Sequence, residues 1–166
     1  MRRLQVLRPP RKGVNPLYDV YQTVPFFRVL WVVCVNIIAR VCPSVRLKNF
    51  MYRHFLGMKV GRHTAVALFV MMDALHPEWI TIGENCIIGF QSTILTHEYL
   101  IDEYRFGPVV IEDDVMIGAN TTVLAGVRIG CGAVIGAGSV VAGDIPPHTF
   151  AAGSPARVLG PVAHRN

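Results

Sequence analysis

The stretch Ile111-Glu-Asp-Asp-Val-Met-Ile117-Gly-Ala-Asn-Thr-Thr-Val123-Leu-Ala-Gly-Val-Arg-Ile129-Gly-Cys-Gly-Ala-Val-Ile135-Gly-Ala-Gly-Ser-Val-Val141 returns to an aliphatic residue at every sixth position. A helix repeats near 3.6 residues and a half-buried strand near 2, so neither sustains that period. A chain that turns a corner at each repeat does, and the spacing predicts coils of a parallel β-helix. The same beat is heard earlier at Ile82, Ile88 and Ile94, often with glycine next in line, and more weakly at Val60 and Val66. Asp73 to Trp79 break the register, which predicts an irregular first coil. Register is lost again after Ile94 and recovered only at Ile111, so residues 98–109 are expected to leave the coil as a loop. At the fifth place of each hexad stand Cys86, Ser92, Val115, Thr121, Val127, Ala133 and Ser139, small or β-branched residues suited to a tight corner.

The fold class that follows is an all-β main domain over residues 60–160, carrying the loop 98–109. A basic arm at 1–16, extended or disordered, and a helical region at 17–59 precede it, and a tail at 161–166 follows. Two helices are expected, at about 17–42 and 44–56, parted by Pro43 and closed by Gly57.

With 52% hydrophobic and 16% charged residues in a chain of 166, some apolar surface must meet a partner. The flat sides and open ends of a solenoid make a homo-oligomer the expected arrangement. The net charge of +5 comes from basic residues concentrated before position 63, not from a stripe interleaved for nucleic acid, which argues against a nucleic-acid partner. Cys34, Cys42, Cys86 and Cys131 form no CxxC pair and no set with histidines. They read as reduced core thiols of a cytoplasmic protein.

Residues 24–42 are strongly apolar but include Arg28, Asn36 and Arg40, which share one helical face. A spanning helix needs about 20 apolar residues. Each arginine would cost about 2.5–3.5 kcal/mol at the bilayer centre, which excludes spanning. No small-residue cleavage site follows, so a signal peptide does not fit either. Two readings stay open: a helix packed on the domain, or peripheral contact with the inner face of a membrane.

The runs Val-Met-Ile-Gly-Ala-Asn (115–120), Val-Leu-Ala-Gly-Val-Arg-Ile-Gly (123–130), Val-Ile-Gly-Ala-Gly-Ser-Val-Val (134–141), Asp-Ile-Pro-Pro (144–147) and Ala-Ala-Gly-Ser-Pro-Ala-Arg-Val (151–158) resemble the hexapeptide-repeat acyltransferases. The likeness is strongest to the maltose, galactoside and nodulation-factor O-acetyltransferase branch. It implies a left-handed β-helix, a homotrimer, acetyl-CoA in the groove between neighbouring subunits, and a single catalytic histidine. That family's histidine stands where the coil opens into the loop, the place His97 occupies here. Moving an acetyl group from a thioester to an alcohol requires taking a proton from a very weak acid, and an imidazole, ordinarily near pKa 6.5, can take it during attack.

By the same resemblance Arg157 contacts the CoA phosphates, Ala119 and Ala137 line the pantetheine groove through their backbones, and Ala142 and Gly143 flank it. The family commonly has Thr-Lys at Ala142-Gly143 and a second basic residue at Gly160. CoA binding is therefore expected to be weaker or reoriented, with Arg165 or a neighbouring subunit's arginine compensating. For the acceptor, Asp73, Glu98 and Tyr99 offer carboxylates and an aromatic face for sugar hydroxyls, and Asp73 or Glu98 is alternatively available to orient His97. His54, His63, His76, His148 and His164 are scattered, with no close pair to join His97 in a zinc site, so no metal is expected. Cys86, at an inward corner, does not suit a nucleophile.

The activity expected is acetyl-CoA-dependent O-acetylation of a sugar or glycan, as in polysaccharide modification. Two alternatives compete with it: N-acetylation of an amino-sugar nucleotide, and a non-catalytic scaffold that docks a partner through its N-terminal hydrophobic segment.

Overall fold

A computed structural model describes residues 2–8 and 13–162. Three parallel sheets form the faces of a prism. The first stacks Lys59–Val60, Ile80–Ile82, Val109–Ile111 and Arg128–Ile129. The second stacks Ala65–Val66, Ile87–Ile88, Met116–Ile117, Val134–Ile135 and Thr149–Gly153, with Ala156–Pro161 folding back antiparallel on its end. The third stacks Met71–Met72, Thr93–Ile94, Thr122–Val123 and Val140–Val141.

Register puts like on like: Val60, Ile82, Ile111 and Ile129 in one column, Val66, Ile88, Ile117 and Ile135 in the second, Met72, Ile94, Val123 and Val141 in the third. All twelve are buried. At about 25 cal/mol per Å² of apolar surface, stacking these side chains is the main force holding the coils together. Met72 corrects the expectation of an irregular first coil. That coil is complete, and its third inward residue is an unbranched one that the aliphatic pattern overlooks.

Two different constraints shape the corners. The backbone turns into the left-handed region three residues after the stacked aliphatic, at His63, Phe69, Asn85, Gln91, Asp114, Asn120 and His148 as well as Gly126, Gly132 and Gly138. The glycine immediately after the aliphatic answers a steric need instead. A Cβ on Gly118 would sit 2.4 Å from the Ala137 nitrogen one coil above. The fifth-place residues point inward, and all seven are buried.

Where one N-terminal helix was expected over 17–42, the chain forms α1 (Val20–Thr23) and α2 (Phe26–Val41), because Pro25 cannot continue a helix begun before it. α3 (Val45–Phe55) starts at Ser44, whose hydroxyl accepts from the Leu47 N–H at 3.3 Å, and ends before Gly57 at φ +67°. α2 and α3 lie over the first coil and close the open end of the prism: Val32, Val35, Ala39, Met51, Tyr52 and Leu56 join the same core as Val60, Val66 and Met72. No helix among the described residues is long and apolar enough to cross a membrane.

The excursion after Ile94 is a hairpin, His97–Tyr99 paired with Tyr104–Phe106. The basic arm supplies its third strand, Gln5–Leu7, antiparallel to Tyr104–Phe106, so residues 5–7 are docked and ordered by backbone hydrogen bonds. Arg11 and Lys12 of the arm, and Arg165 and His164 of the tail, lie outside the described residues. Of the expected core thiols only Cys86 is buried. Cys34 is exposed on α2, and Cys42 and Cys131 are half-buried.

Candidate active site

Met72 and Ile94 are neighbours in the third face, and that stacking fixes what comes after them. Asp73 follows the first and turns inward. His97 follows the second by three residues, where the hairpin leaves the coil. Two side chains 24 apart in sequence thereby meet at one edge of the prism, with His97 Nδ1 2.6 Å from Asp73 Oδ2.

Asp73 is 1% exposed and its oxygens are fully engaged. Oδ2 also accepts the Thr96 N–H at 2.7 Å, and Oδ1 accepts the N–H groups of Leu75 and His76, each at 2.8 Å. Burial opposes the charged form. The hydrogen bond and charge of His97, with the backbone N–H groups of His76 and Thr96, outweigh it and hold the carboxyl at about 2. An ionised carboxylate only accepts, so Nδ1 is the ring nitrogen of His97 that donates to Asp73, and Nε2 is the nitrogen left for other partners. The imidazole is 19% exposed, so one side of it reaches solvent.

An aromatic wall surrounds the ring. Tyr99 and Tyr104 stack at 4.4 Å, and His97 meets them edge-on at 5.5 and 6.3 Å. Burial raises the pKa of both phenols, so near neutrality they stay protonated. The Tyr104 hydroxyl lies 3.1 Å from His76 Nε2, and His76 stacks on Trp79 at 5.0 Å. Tyr104 also borders a recess of about 240 Å³ whose polar rim is Arg8, Asp19, Gln22 and Thr23. Those four come from the arm and α1 folding back over the hairpin, which no local motif announces.

The residues expected at the acceptor therefore separate. Asp73 does not line an opening; it sits behind the imidazole. Glu98 is ion-paired with Arg2 at 2.6 Å, so its carboxylate ties the arm to the hairpin. Tyr99 borders His97. The residues expected around CoA also separate. Ala119 and Ala137 succeed one another where the second face turns into the third, with the Gly138 N–H donating to the Ala119 carbonyl at 2.8 Å. Ala142 and Gly143 lie at the other end of the third face, the His97 edge, where Leu95, Leu124 and then Ala142 rise through three coils. Arg157 is exposed on the terminal hairpin opposite Ala152, and no carboxylate among the described residues pairs with it. Within one chain these groups do not share a groove. The third face stands between them.

Burial pushes the Cys86 thiol up, and its Sγ lies 2.9 Å from the Glu112 carbonyl oxygen, which makes it a poor nucleophile. Among the described residues no three His, Cys, Asp or Glu side chains converge as metal ligands.

Residues 79–94 and 108–142 match the family model described as the hexapeptide repeat of succinyl-transferase. YvoF, a candidate acetyltransferase of Bacillus subtilis (strain 168), is 54% identical over 152 residues, 92% of this chain and 88% of that protein. The hexapeptide-repeat acetyltransferase VCA0836 of Vibrio cholerae, solved with acetyl-coenzyme A, superposes with a TM-score of 0.70 at 27% identity over 83% of this chain and 88% of its own. A maltose O-acetyltransferase from Clostridium difficile 630 shares the fold, with a TM-score of 0.60 at 24% identity over 90% of this chain and 91% of that one. The hexads, the family model and the relative of 54% identity agree: the chain belongs to the hexapeptide-repeat acetyltransferases.

Proposed function

We propose that the protein is an O-acetyltransferase that uses acetyl-CoA to acetylate a hydroxyl of a sugar or glycan, with His97 as general base. The observation that carries this reading is the His97–Asp73 pair, in which Nδ1 is engaged by the carboxylate at 2.6 Å and Nε2 is the nitrogen left to act as base beside the hairpin. Nε2 takes the proton of the acceptor hydroxyl as its oxygen attacks the thioester carbonyl carbon. The C–S bond then breaks, and the imidazolium returns its proton to the departing CoA thiolate. Asp73 orients the ring and offsets the positive charge that develops on it. The recess beside Tyr104, with Arg8, Asp19, Gln22 and Thr23 on its rim, offers the donors and acceptors that a polyol needs.

The separation of Ala119 and Ala137 from His97 across the third face favours a site shared by two copies. In a left-handed, side-by-side homotrimer, one subunit's His97 edge faces its neighbour's Ala119–Ala137 edge, and acetyl-CoA lies between them. Arg157 then serves the CoA phosphates from the terminal hairpin.

The test is turnover of acetyl-CoA with a panel of hydroxyl and amine acceptors by the native chain and His97→Ala. Transfer to hydroxyls alone, reduced about 10²–10⁴-fold in the variant, is expected. Preferred transfer to amines would replace the reading with N-acetylation, and undiminished turnover by the variant would remove His97 as base.

A further inference from the structure

α2 packs on the prism with its more polar side. Val32, Val35, Asn36 and Ala39 face the core, and the Arg40 guanidinium lies 5.9 Å from the centre of the Phe69 ring. The opposite side is apolar and open: Phe27 is 81% exposed, Ile38 59% and Trp31 54%, with Leu30, Ile37 and Val41 between and beside them. These positions recur at three and four, so they form one stripe along the helix. α3 extends it. Trp31 meets Phe55 edge-on at 5.9 Å, Phe55 meets Phe50 at 5.8 Å, and both phenylalanines are exposed. The patch covers the outer surface of the cap, at the closed end of the prism, where a copy packed side by side would leave it bare.

Charge decides what covers it. From Val20 to His63 the cap and the first turn of the coil carry seven Lys and Arg, of which Arg28 and Arg62 pair with Glu78 and Glu84 and Lys48 is buried. From Val20 to His63 there is no acidic residue at all. A second copy laid cap to cap would set the two positive ends against each other. Anionic lipid headgroups would neutralise them while the acyl region takes the apolar stripe. Arg46, between exposed Val45 and Leu47, borders a cleft of about 450 Å³ that is also lined by Arg53, Arg62 and His63. Arg53 donates to the carbonyls of Val60 and Gly61 and Arg62 pairs with Glu84, so Arg46 is the cation this cleft offers to a headgroup. At about 1.5 Å per residue the 16 residues of α2 are too short to span a bilayer and suit lying along its surface.

We infer that the α2–α3 cap is a peripheral membrane-binding face that rests its apolar stripe in an anionic lipid surface. It holds the catalytic coils against the bilayer. The inference is independent of His97 and of which acceptor is used, and the proposed trimer would set three such caps at one end.

The experiment is sedimentation of the full-length protein with vesicles of phosphatidylcholine, with and without phosphatidylglycerol. Binding to the anionic vesicles, weakened by salt, is expected. Phe27→Ser with Ile38→Ser should lower the partition coefficient about tenfold or more, and Arg46→Glu should lower it on anionic vesicles only. Should the double variant misfold, quenching of Trp31 emission by bromine-labelled acyl chains in the native protein, lost in Trp31→Phe, reads the same contact. Native protein that stays in solution with both vesicles, or a double variant that sediments as well as the native chain, would overturn the inference. So would a solution mass that the double substitution halves, because a second copy would then be covering the stripe.

Discussion

Asp73 holds the His97 ring at 2.6 Å, and the carboxyl's own environment gives its contribution to stability a sign. The carboxyl is held at about 2, below its ordinary 3.8, so it favours the fold when ionised. Its contribution, about 2 kcal/mol, is complete above about pH 4 and disappears as pH falls through the folded value near 2. Asp73→Asn should therefore lower stability at pH 7 by about that amount and flatten its decline between pH 4 and 2 in urea titrations. It should also cost activity at every pH, because an amide can present its NH2 to Nδ1 and reverse the tautomer. A variant with native activity would show that the imidazole is held by something else. Sequence spacing alone left Asp73 and Glu98 as alternatives for this role. Stacking decides between them: Asp73 lies one coil from His97, whereas the Glu98 carboxylate points to Arg2 at 2.6 Å.

The coils test how far a pattern of residue types specifies a backbone. Gly118 and Asn120 lie two residues apart but answer different constraints. Gly118→Ala would push a methyl group into the Ala137 backbone and should cost more than about 2 kcal/mol. Asn120→Gly, at φ +56°, should be neutral or stabilising by under about 1 kcal/mol. Thermal melts of the two variants check the contrast, and equal costs would contradict it. The columns of stacked aliphatics, the inward corners and the breaks before and after the hairpin were legible in the sequence because each follows from a period of six. Less legible was anything without a periodic signature. Met72 continues a column as an unbranched side chain. Gln5–Leu7 adds a strand whose partner lies about a hundred residues away. α2 reverses the usual reading of an amphipathic helix, because its arginine-bearing side faces the prism and its apolar side faces out.

Taken as one body, the protein is a prism closed by a cationic helical cap, with its candidate catalytic edge in the coils above. The separation of residues that the family resemblance groups around CoA has a consequence for assembly. If Ala119 and Ala137 serve the same site as His97, they must come from another copy. Composition already called for a partner surface, but no periodicity in the sequence says which edge meets which. The proposed membrane face adds an orientation, since a bilayer beneath the cap would set the coils upright on its surface.

Mixing two inactive chains tests the shared site most directly. His97→Ala removes the proposed base, and Ala137→Trp fills the opposite edge of the proposed groove. Each variant alone should be inactive. Unfolded together in equal amounts and refolded, they should regain about a quarter of native activity, because one interface in four pairs an intact His97 edge with an intact groove edge. No recovery in mixed oligomers shown by mass to have formed, or full activity in either variant alone, would contradict a histidine and an acetyl-CoA groove supplied by neighbouring subunits.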